Sequence, residues 1–174
     1  MNKFVSVTAT ILLLAAGAAH AESPNDAQIA AIVVTANQVD IDAGRLAEKK
    51  AAHADVKAFA KQMVTDHSGV NKQAVALVTK LKVTPEDNAT AQSLKAGGAD
   101  NVRNLEKLSG AAFDNAYVAH EVAYHEQVID AIDKVLIPGA QNAELKALLV
   151  AVRPAFVAHL DHAKGLQASL ARKS

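Results

Sequence analysis

Apolar residues recur every three to four positions along most of the chain, a spacing that places them on one face of an α-helix. Four long segments have this pattern, and we predict helices at 25–52, 55–82, 111–136 and 142–171. Alternation of apolar and polar residues, which is typical of a half-buried strand, does not extend over any useful length. The sequence therefore predicts an all-α fold.

The connection between the second and third predicted helices is much longer than the other two and covers residues 83–110. Within it, Gly97-Gly98 predicts an interruption, with one short helix at 89–96 and another at 99–108. The two short connections imply antiparallel neighbours. Two helical hairpins joined by one long, partly helical crossover form a ferritin-like four-helix bundle, which is the predicted architecture.

Each predicted long helix carries at least one ionisable residue on its apolar face. Because an α-helix turns about 100° per residue, Asp40 on helix one and His67 on helix two lie within about 20° of their apolar stripes. Glu121 and His125 lie one turn apart on the stripe of helix three. His159 lies on the stripe of helix four. All five residues are near the middles of their helices, so we expect one polar layer in the core.

A buried charge without a partner costs several kcal/mol, so these groups must be hydrogen-bonded to each other or bound to a cation. Three imidazoles with one or two carboxylates suit a first-row transition metal. We predict one Zn, Cu, Ni or Fe ion held by His67, His125 and His159 together with Asp40 or Glu121.

A second hypothesis gives the same layer a purely structural role. The polar groups would then fix the register of the helices, and an outer face would carry the function. The protein would be an envelope stress or protein-interaction module, and its expected partner would be another envelope protein.

The remaining polar candidates are predicted to have lesser roles. His53 lies in the turn between helices one and two, and His120 and His162 point about 100° away from their stripes, so we predict that all three are solvated. Asp66 lies at the edge of its stripe, where it would orient His67 or accept a hydrogen bond from a neighbouring helix.

Composition removes several classes of function. The chain has 18 basic and 18 acidic residues, no Trp and two Tyr, which leaves neither a basic surface nor a stacking platform for nucleic acid. It has no Cys, which excludes thiolate catalysis and iron–sulfur clusters. Since it also shows no nucleophile constellation and no phosphate-binding glycine loop, we expect no organic cofactor and do not favour an enzyme.

The first 21 residues have the features of a secretory signal peptide. Lys3 precedes an apolar run over 4–19, and Ala19-His20-Ala21 supplies small residues at the expected cleavage site. We therefore expect residues 22–174 to form the mature domain in the periplasm. No later stretch approaches the roughly 20 apolar residues of a membrane span, so any association with the outer membrane would be peripheral.

Three segments carry a family resemblance. They are Val-Lys-Ala-Phe-Ala-Lys-Gln-Met-Val-Thr-Asp-His at 56–67, Phe113-Asp114-x-x-Tyr117, and Pro154 followed by His159-Leu160-x-x-Ala163. Together they resemble the motifs of the domain of unknown function 4142 family. The resemblance implies an exported bacterial protein with a ferritin-like fold, often labelled an outer membrane protein, and no settled activity. His67, His125 and His159 match the family's motif histidines.

The candidate site departs from that of the di-iron ferritins. Those proteins place four carboxylates and two Glu-x-x-His pairs in the bundle core. Here the corresponding pair is Glu121-x-x-x-His125, and the well-aimed carboxylates are Asp40 and Glu121. The sequence therefore does not favour a di-iron oxidase.

Overall fold

The computed structural model describes residues 23–172. Five long helices dominate this part of the chain: α1 (Asp26–Lys50), α2 (Ala54–Leu81), α3 (Ala89–Glu106), α4 (Gly110–Ala131) and α6 (Ala143–Ala171). A π-helical segment (Ile132–Leu136) and a one-turn helix, α5 (Ile137–Gly139), connect α4 to α6. Residues 23–172 contain no strand, so the all-α prediction is confirmed. The predicted signal peptide lies outside the described residues.

The starts of three helices have asparagine caps. The Asn25, Asn88 and Asn142 side chains accept hydrogen bonds from backbone N–H groups in the first turns of α1, α3 and α6. Asn25 also forms a capping box with Gln28. Each cap stabilises its helix by about 1 kcal/mol because it pairs an N–H group that has no partner within the helix. The first residues of these three helices are therefore determined by neighbouring residues in the sequence.

Two aspartates fix helix ends to distant turns. Asp114 on α4 accepts hydrogen bonds from the backbone N–H groups of Ala52 (3.0 Å) and His53 (2.8 Å), in the turn between α1 and α2. Asp26 in the first turn of α1 accepts one from the N–H of Gln141 (2.8 Å), just before α6. These contacts hold the helix ends at both ends of the molecule.

The helices enclose two apolar clusters, one toward each end of the molecule. The first cluster includes the beginnings of α1 and α6 and the ends of α2 and α4, while the second includes the opposite ends of the same helices. Hence α1 and α6 run in one direction, and α2 and α4 in the other. Helix α3 adds Ala91 to the first cluster and Leu105 to the second, so it carries the chain back along α1.

No helix within residues 23–172 is both long enough and apolar enough to cross a lipid bilayer.

The predicted break at Gly97-Gly98 is wrong, because α3 is one continuous helix across both glycines. Glycine inside a helix costs about 0.5–1 kcal/mol relative to alanine. The packing explains Gly98: a Cβ there would lie 2.7 Å from Val39 Cγ1, so glycine lets α3 approach α1 closely. Around Gly97 no atom lies within 4 Å of such a Cβ.

The predicted third helix, 111–136, is also modified, since its last five residues form the π-helical segment. The Ile137 N–H bonds to the Ile132 carbonyl, five residues back. Pro138 follows directly and has no N–H to donate to the Lys134 carbonyl, and its ring would clash with that carbonyl in a regular α-helix. The wider π turn accommodates this proline.

The two glycines of α3 provide a matched stability test. We expect Gly97→Ala to raise the free energy of unfolding by about 0.5–1 kcal/mol, because alanine favours the helix and meets no neighbour. We expect Gly98→Ala to lower it by about 1–3 kcal/mol, because the methyl group overlaps Val39. Urea unfolding followed by circular dichroism measures both changes. Equal stabilisation by the two substitutions would contradict the close approach of α3 to α1.

Candidate metal centre

The five predicted site residues lie together between the two apolar clusters. Asp40 comes from α1, His67 from α2, Glu121 and His125 from α4, and His159 from α6. Each is at most 3% exposed. The predicted polar layer therefore exists in the structure, and one member or pair comes from each of four helices.

The orientation of the His67 ring is fixed by Asn37. His67 Nδ1 lies 2.7 Å from Asn37 Oδ1, and Asn37 Nδ2 donates to the Val33 carbonyl at 2.8 Å. Because the amide nitrogen of Asn37 is the donor to Val33, its oxygen is the acceptor and His67 Nδ1 carries the proton. His67 Nε2 is consequently an unprotonated lone pair when the ring is neutral.

The same logic applies to the other two imidazoles. His125 Nδ1 lies 3.0 Å from the backbone carbonyl oxygen of Glu121, which can only accept a hydrogen bond. His159 Nε2 lies 2.9 Å from Asp66 Oδ2. In the neutral rings these partners leave lone pairs on His125 Nε2 and His159 Nδ1.

The three histidines form a group whose ligand atoms lie within 4.8 Å of one another. Asp40 Oδ2 lies 3.3 Å from His67 Nε2 and 3.7 Å from His125 Nε2. Thus Asp40 faces the unprotonated nitrogens of two histidines, and His159 completes the three-histidine group. The arrangement offers three imidazole nitrogens and one carboxylate oxygen.

Glu121 has a different place in the layer. Together with Asp40 and His125 it forms a second group of potential ligands. Its Oε2 atom lies 3.5 Å from His125 Nδ1, the nitrogen that already donates to the Glu121 backbone. Asp40 is the carboxylate beside the free nitrogens of His67 and His125, and it belongs to the group with Glu121 and His125 rather than to the three-histidine group.

Burial determines the protonation of the layer. It raises the pKa of Asp40 to about 8, and burial together with the nearby Asp40 charge raises the pKa of Glu121 well above its ordinary value. Burial lowers the pKa of His67 well below 6.5, and the charges of His125 and His159 lower it further. Burial also lowers the pKa of His125 to about 4. It lowers the pKa of His159 as well, and the hydrogen bond and charge of Asp66 partly offset that decrease. Near neutral pH the imidazoles are therefore neutral and both carboxyls hold protons.

The layer has more acceptors than donors. His67 Nε2, His125 Nε2, His159 Nδ1 and both Asp40 carboxyl oxygens are buried without a hydrogen-bond partner among residues 23–172. A proton on Asp40 can satisfy at most one of the three nitrogens. Each buried acceptor left unpaired costs about 1–3 kcal/mol, whereas one coordinated cation would satisfy the three nitrogens and one Asp40 oxygen together.

The predicted solvent exposure of the three remaining histidines is confirmed for one and wrong for two. His162 is exposed, as predicted. His53 is half-buried and caps α2 by accepting a hydrogen bond from the Asp55 N–H, so its predicted solvated position is wrong. The prediction is also wrong for His120, which is partly buried because Tyr124, one turn later, stacks on its ring at 5.6 Å.

Asp66 and Asn37 complete the layer in ways that the sequence only partly indicated. Asp66 was expected to orient His67 or to serve a neighbouring helix, and it orients His159 on α6. Asn37 was missed, although it lies one turn before Asp40 and one turn after Val33 on α1. The helical period places Asn37 on the same face of α1 as Val33 and Asp40, so a search of the apolar faces for neutral amides as well as charged residues would have identified it.

Comparison with known proteins gives a family and no further relative. The family model described as Domain of unknown function (DUF4142) matches residues 13–166, a range that contains all five residues of the layer. No curated protein and no solved structure matches the chain. The chemistry of the site must therefore be argued from its own residues.

The protonation of the layer predicts how stability depends on pH when metal is chelated. Below about pH 6.5 the unfolded chain binds protons that the buried histidines do not, so the histidine contribution to stability falls as pH decreases. From about pH 4, the ordinary pKa of a carboxyl, to about pH 8 the folded protein retains carboxyl protons that the unfolded chain has released, so the carboxyl contribution falls as pH increases. The two contributions oppose each other below pH 6.5, and above it we expect stability to decrease by about 1.4 kcal/mol per pH unit for each protonated carboxyl.

Urea unfolding in EDTA between pH 5 and 8.5 measures this profile. Asp40→Asn removes one of the two carboxyls and should reduce the slope above pH 6.5. A stability that stays constant from pH 6.5 to 8 would show that neither carboxyl is protonated in the folded protein.

Proposed function

The chain belongs to the DUF4142 family, whose description assigns no activity, and from its own residues we propose that it is an exported, periplasmic protein that binds one transition-metal ion in its helical core. His67, His125 and His159 supply nitrogen ligands, and Asp40 supplies oxygen. One observation carries the proposal: each histidine has one ring nitrogen bound to a fixed acceptor, and its other nitrogen is buried in the same cluster with no hydrogen-bond partner in the described part of the chain, 23–172.

This arrangement is characteristic of metal-ligating histidines. Such residues usually donate the N–H of the non-ligating nitrogen to a carbonyl or a carboxylate, which fixes the ring and its tautomer. Asn37 Oδ1, the Glu121 carbonyl and the Asp66 carboxylate have this role for the three rings. A network that only fixed helix register would be expected to pair all three inner nitrogens with protein donors, whereas a proton on Asp40 can pair at most one of them.

The ligand types restrict the metal. A set of three imidazoles and one carboxylate favours Zn, Cu, Ni or Fe over Mg²⁺ and Ca²⁺, which bind mainly oxygen. Four protein ligands would complete a tetrahedral shell, as in closed structural zinc sites. Because all four residues are almost completely buried, the site suits holding an ion rather than presenting one to a substrate.

The proposed location rests on the amino-terminal sequence. Lys3, the apolar run and Ala19-His20-Ala21 have the order of a cleavable export signal. A metal site without cysteine also fits an oxidising compartment, because imidazole and carboxylate ligands are not lost to disulfide formation. The mature chain would then begin at Glu22.

Metal content tests the proposed site. Mature protein without a histidine tag, recovered from the periplasmic fraction, is expected to bind one Zn²⁺ per chain in calorimetry and elemental analysis. His67→Gln and His125→Gln should each weaken binding by about 10–100-fold or more, because each removes a nitrogen ligand. His162→Gln changes an exposed histidine on α6 and should bind as the wild type does.

Folded wild-type protein that takes up none of Zn, Cu, Ni or Fe would overturn the proposal. The polar layer would then be a structural network, and an envelope partner at the surface would become the leading hypothesis.

The pH dependence of binding tests the role of Asp40. Zn²⁺ needs the carboxylate form, and the pKa of Asp40 in the metal-free protein is about 8, so binding must displace a proton. We expect the affinity to rise about tenfold per pH unit between pH 6.5 and 8, where the histidines are already neutral. Calorimetry in buffers with different ionisation enthalpies should show the release of about one proton per ion. Asp40→Asn should bind more weakly and lose this dependence, whereas an unchanged profile in that variant would exclude Asp40 as the ligand.

A further inference from the structure

An apolar cavity of about 210 Å³ lies beside the histidine cluster, in the half of the core that contains the first apolar cluster. Four helices and the π-helical segment contribute most of its wall. The side chains that define its shape are Ile32, Val70, Val128, Ile132, Leu149 and Phe156. Leu94 from α3 covers one side. The cavity is therefore built by elements that are distant from one another in the sequence.

Two polar residues at the cavity wall already have hydrogen-bond partners. Asn37 contacts His67 and the Val33 carbonyl, and the Tyr124 hydroxyl donates to the Ala36 carbonyl at 2.8 Å. Two other polar residues of the lining, Thr90 and Gln127, are exposed and mark the side that opens to solvent. A buried water molecule requires two to four polar partners, which this interior does not offer. An apolar occupant fits it better.

The π-helical segment contributes directly to this wall through Ile132 and Leu136. A π turn contains one more residue than an α turn, so it rotates the following side chains by about 100° relative to a regular helix. Such segments occur frequently at functional sites. Here the π turn determines which side chains face the cavity.

The volume defines the size of the occupant. An engineered apolar cavity of about 150 Å³ in another protein stays dry and binds benzene. A cavity of about 210 Å³ has room for one aromatic ring or a short alkyl chain, and it is too small for a peptide helix. We propose that this cavity is a binding site for a small, uncharged apolar molecule of that size, next to the histidine centre.

Phe156 forms the partition between the two sites. Its ring centroid lies 5.0 Å from that of His67 and 6.0 Å from that of His125, and the same side chain lines the cavity. A molecule in the cavity would contact Phe156 rather than the free imidazole nitrogens. Binding of the apolar molecule therefore does not require a metal ion, and metal-free protein can be used to test it.

Benzene is a suitable probe for the metal-free protein. The expected result is a saturable rise in the unfolding temperature, because benzene binds the folded state and not the unfolded chain. Ala131→Leu adds three carbon atoms at the cavity wall and should reduce this benzene-dependent shift at least tenfold. Ala123→Leu makes the same change at an exposed position of α4 and should leave the shift as in the wild type.

Methyl-resolved NMR of the wild type locates the ligand and does not depend on any variant. Benzene should perturb the methyl groups of Ile32, Val128 and Leu149, and should leave Leu166 in the other apolar cluster unchanged. The absence of both a temperature shift and methyl perturbations would overturn the proposal, as would perturbations confined to the second cluster. Since metal is absent throughout, neither outcome depends on the proposed metal function.

Discussion

The enclosure of five ionisable groups between two apolar clusters is the constraint on which the rest of this structure depends. Asp40, His67, Glu121, His125 and His159 come from four different helices and meet at one depth. A shift of any of these helices by one turn would move an imidazole or a carboxyl into apolar surroundings without a partner, at a cost of several kcal/mol. The polar layer therefore fixes the relative register of α1, α2, α4 and α6.

The remaining features of the fold support this register. Asp114 and Asp26 tie helix starts to turns at opposite ends of the molecule, so the helices cannot slide independently. Gly98 lets α3 lie closely along α1, and α1 consequently contacts α2, α3 and α4. This explains why α1, which carries Asp40 and Asn37, is buried on more than one side. Among the long helices of residues 23–172, the one that carries Asp40 has the most buried residues.

The chemistry of the site follows from the same enclosure. Burial keeps the imidazoles neutral, which is the form that binds a metal, but it also keeps Asp40 protonated, which is the form that does not. At the proposed metal site, binding of an ion would therefore be coupled to release of the Asp40 proton. The apolar cavity shares Phe156 with this layer, so the proposed apolar ligand would lie beside the proposed metal centre.

The sequence by itself determined the four long helices that carry the polar layer and the five ionisable residues of that layer. A helical period assigns each residue to a face, and position along the helix assigns its depth, so His67 or His159 could be placed in the core from local information. Tertiary structure decided which nitrogen of His67 and of His159 is free, because their partners are far away along the chain: Asn37 is 30 residues from His67, and Asp66 is 93 residues from His159. It also decided that α3 is unbroken at Gly98 and that the cavity exists. Each of these depends on a distance between separate helices, which no periodicity within one helix can encode.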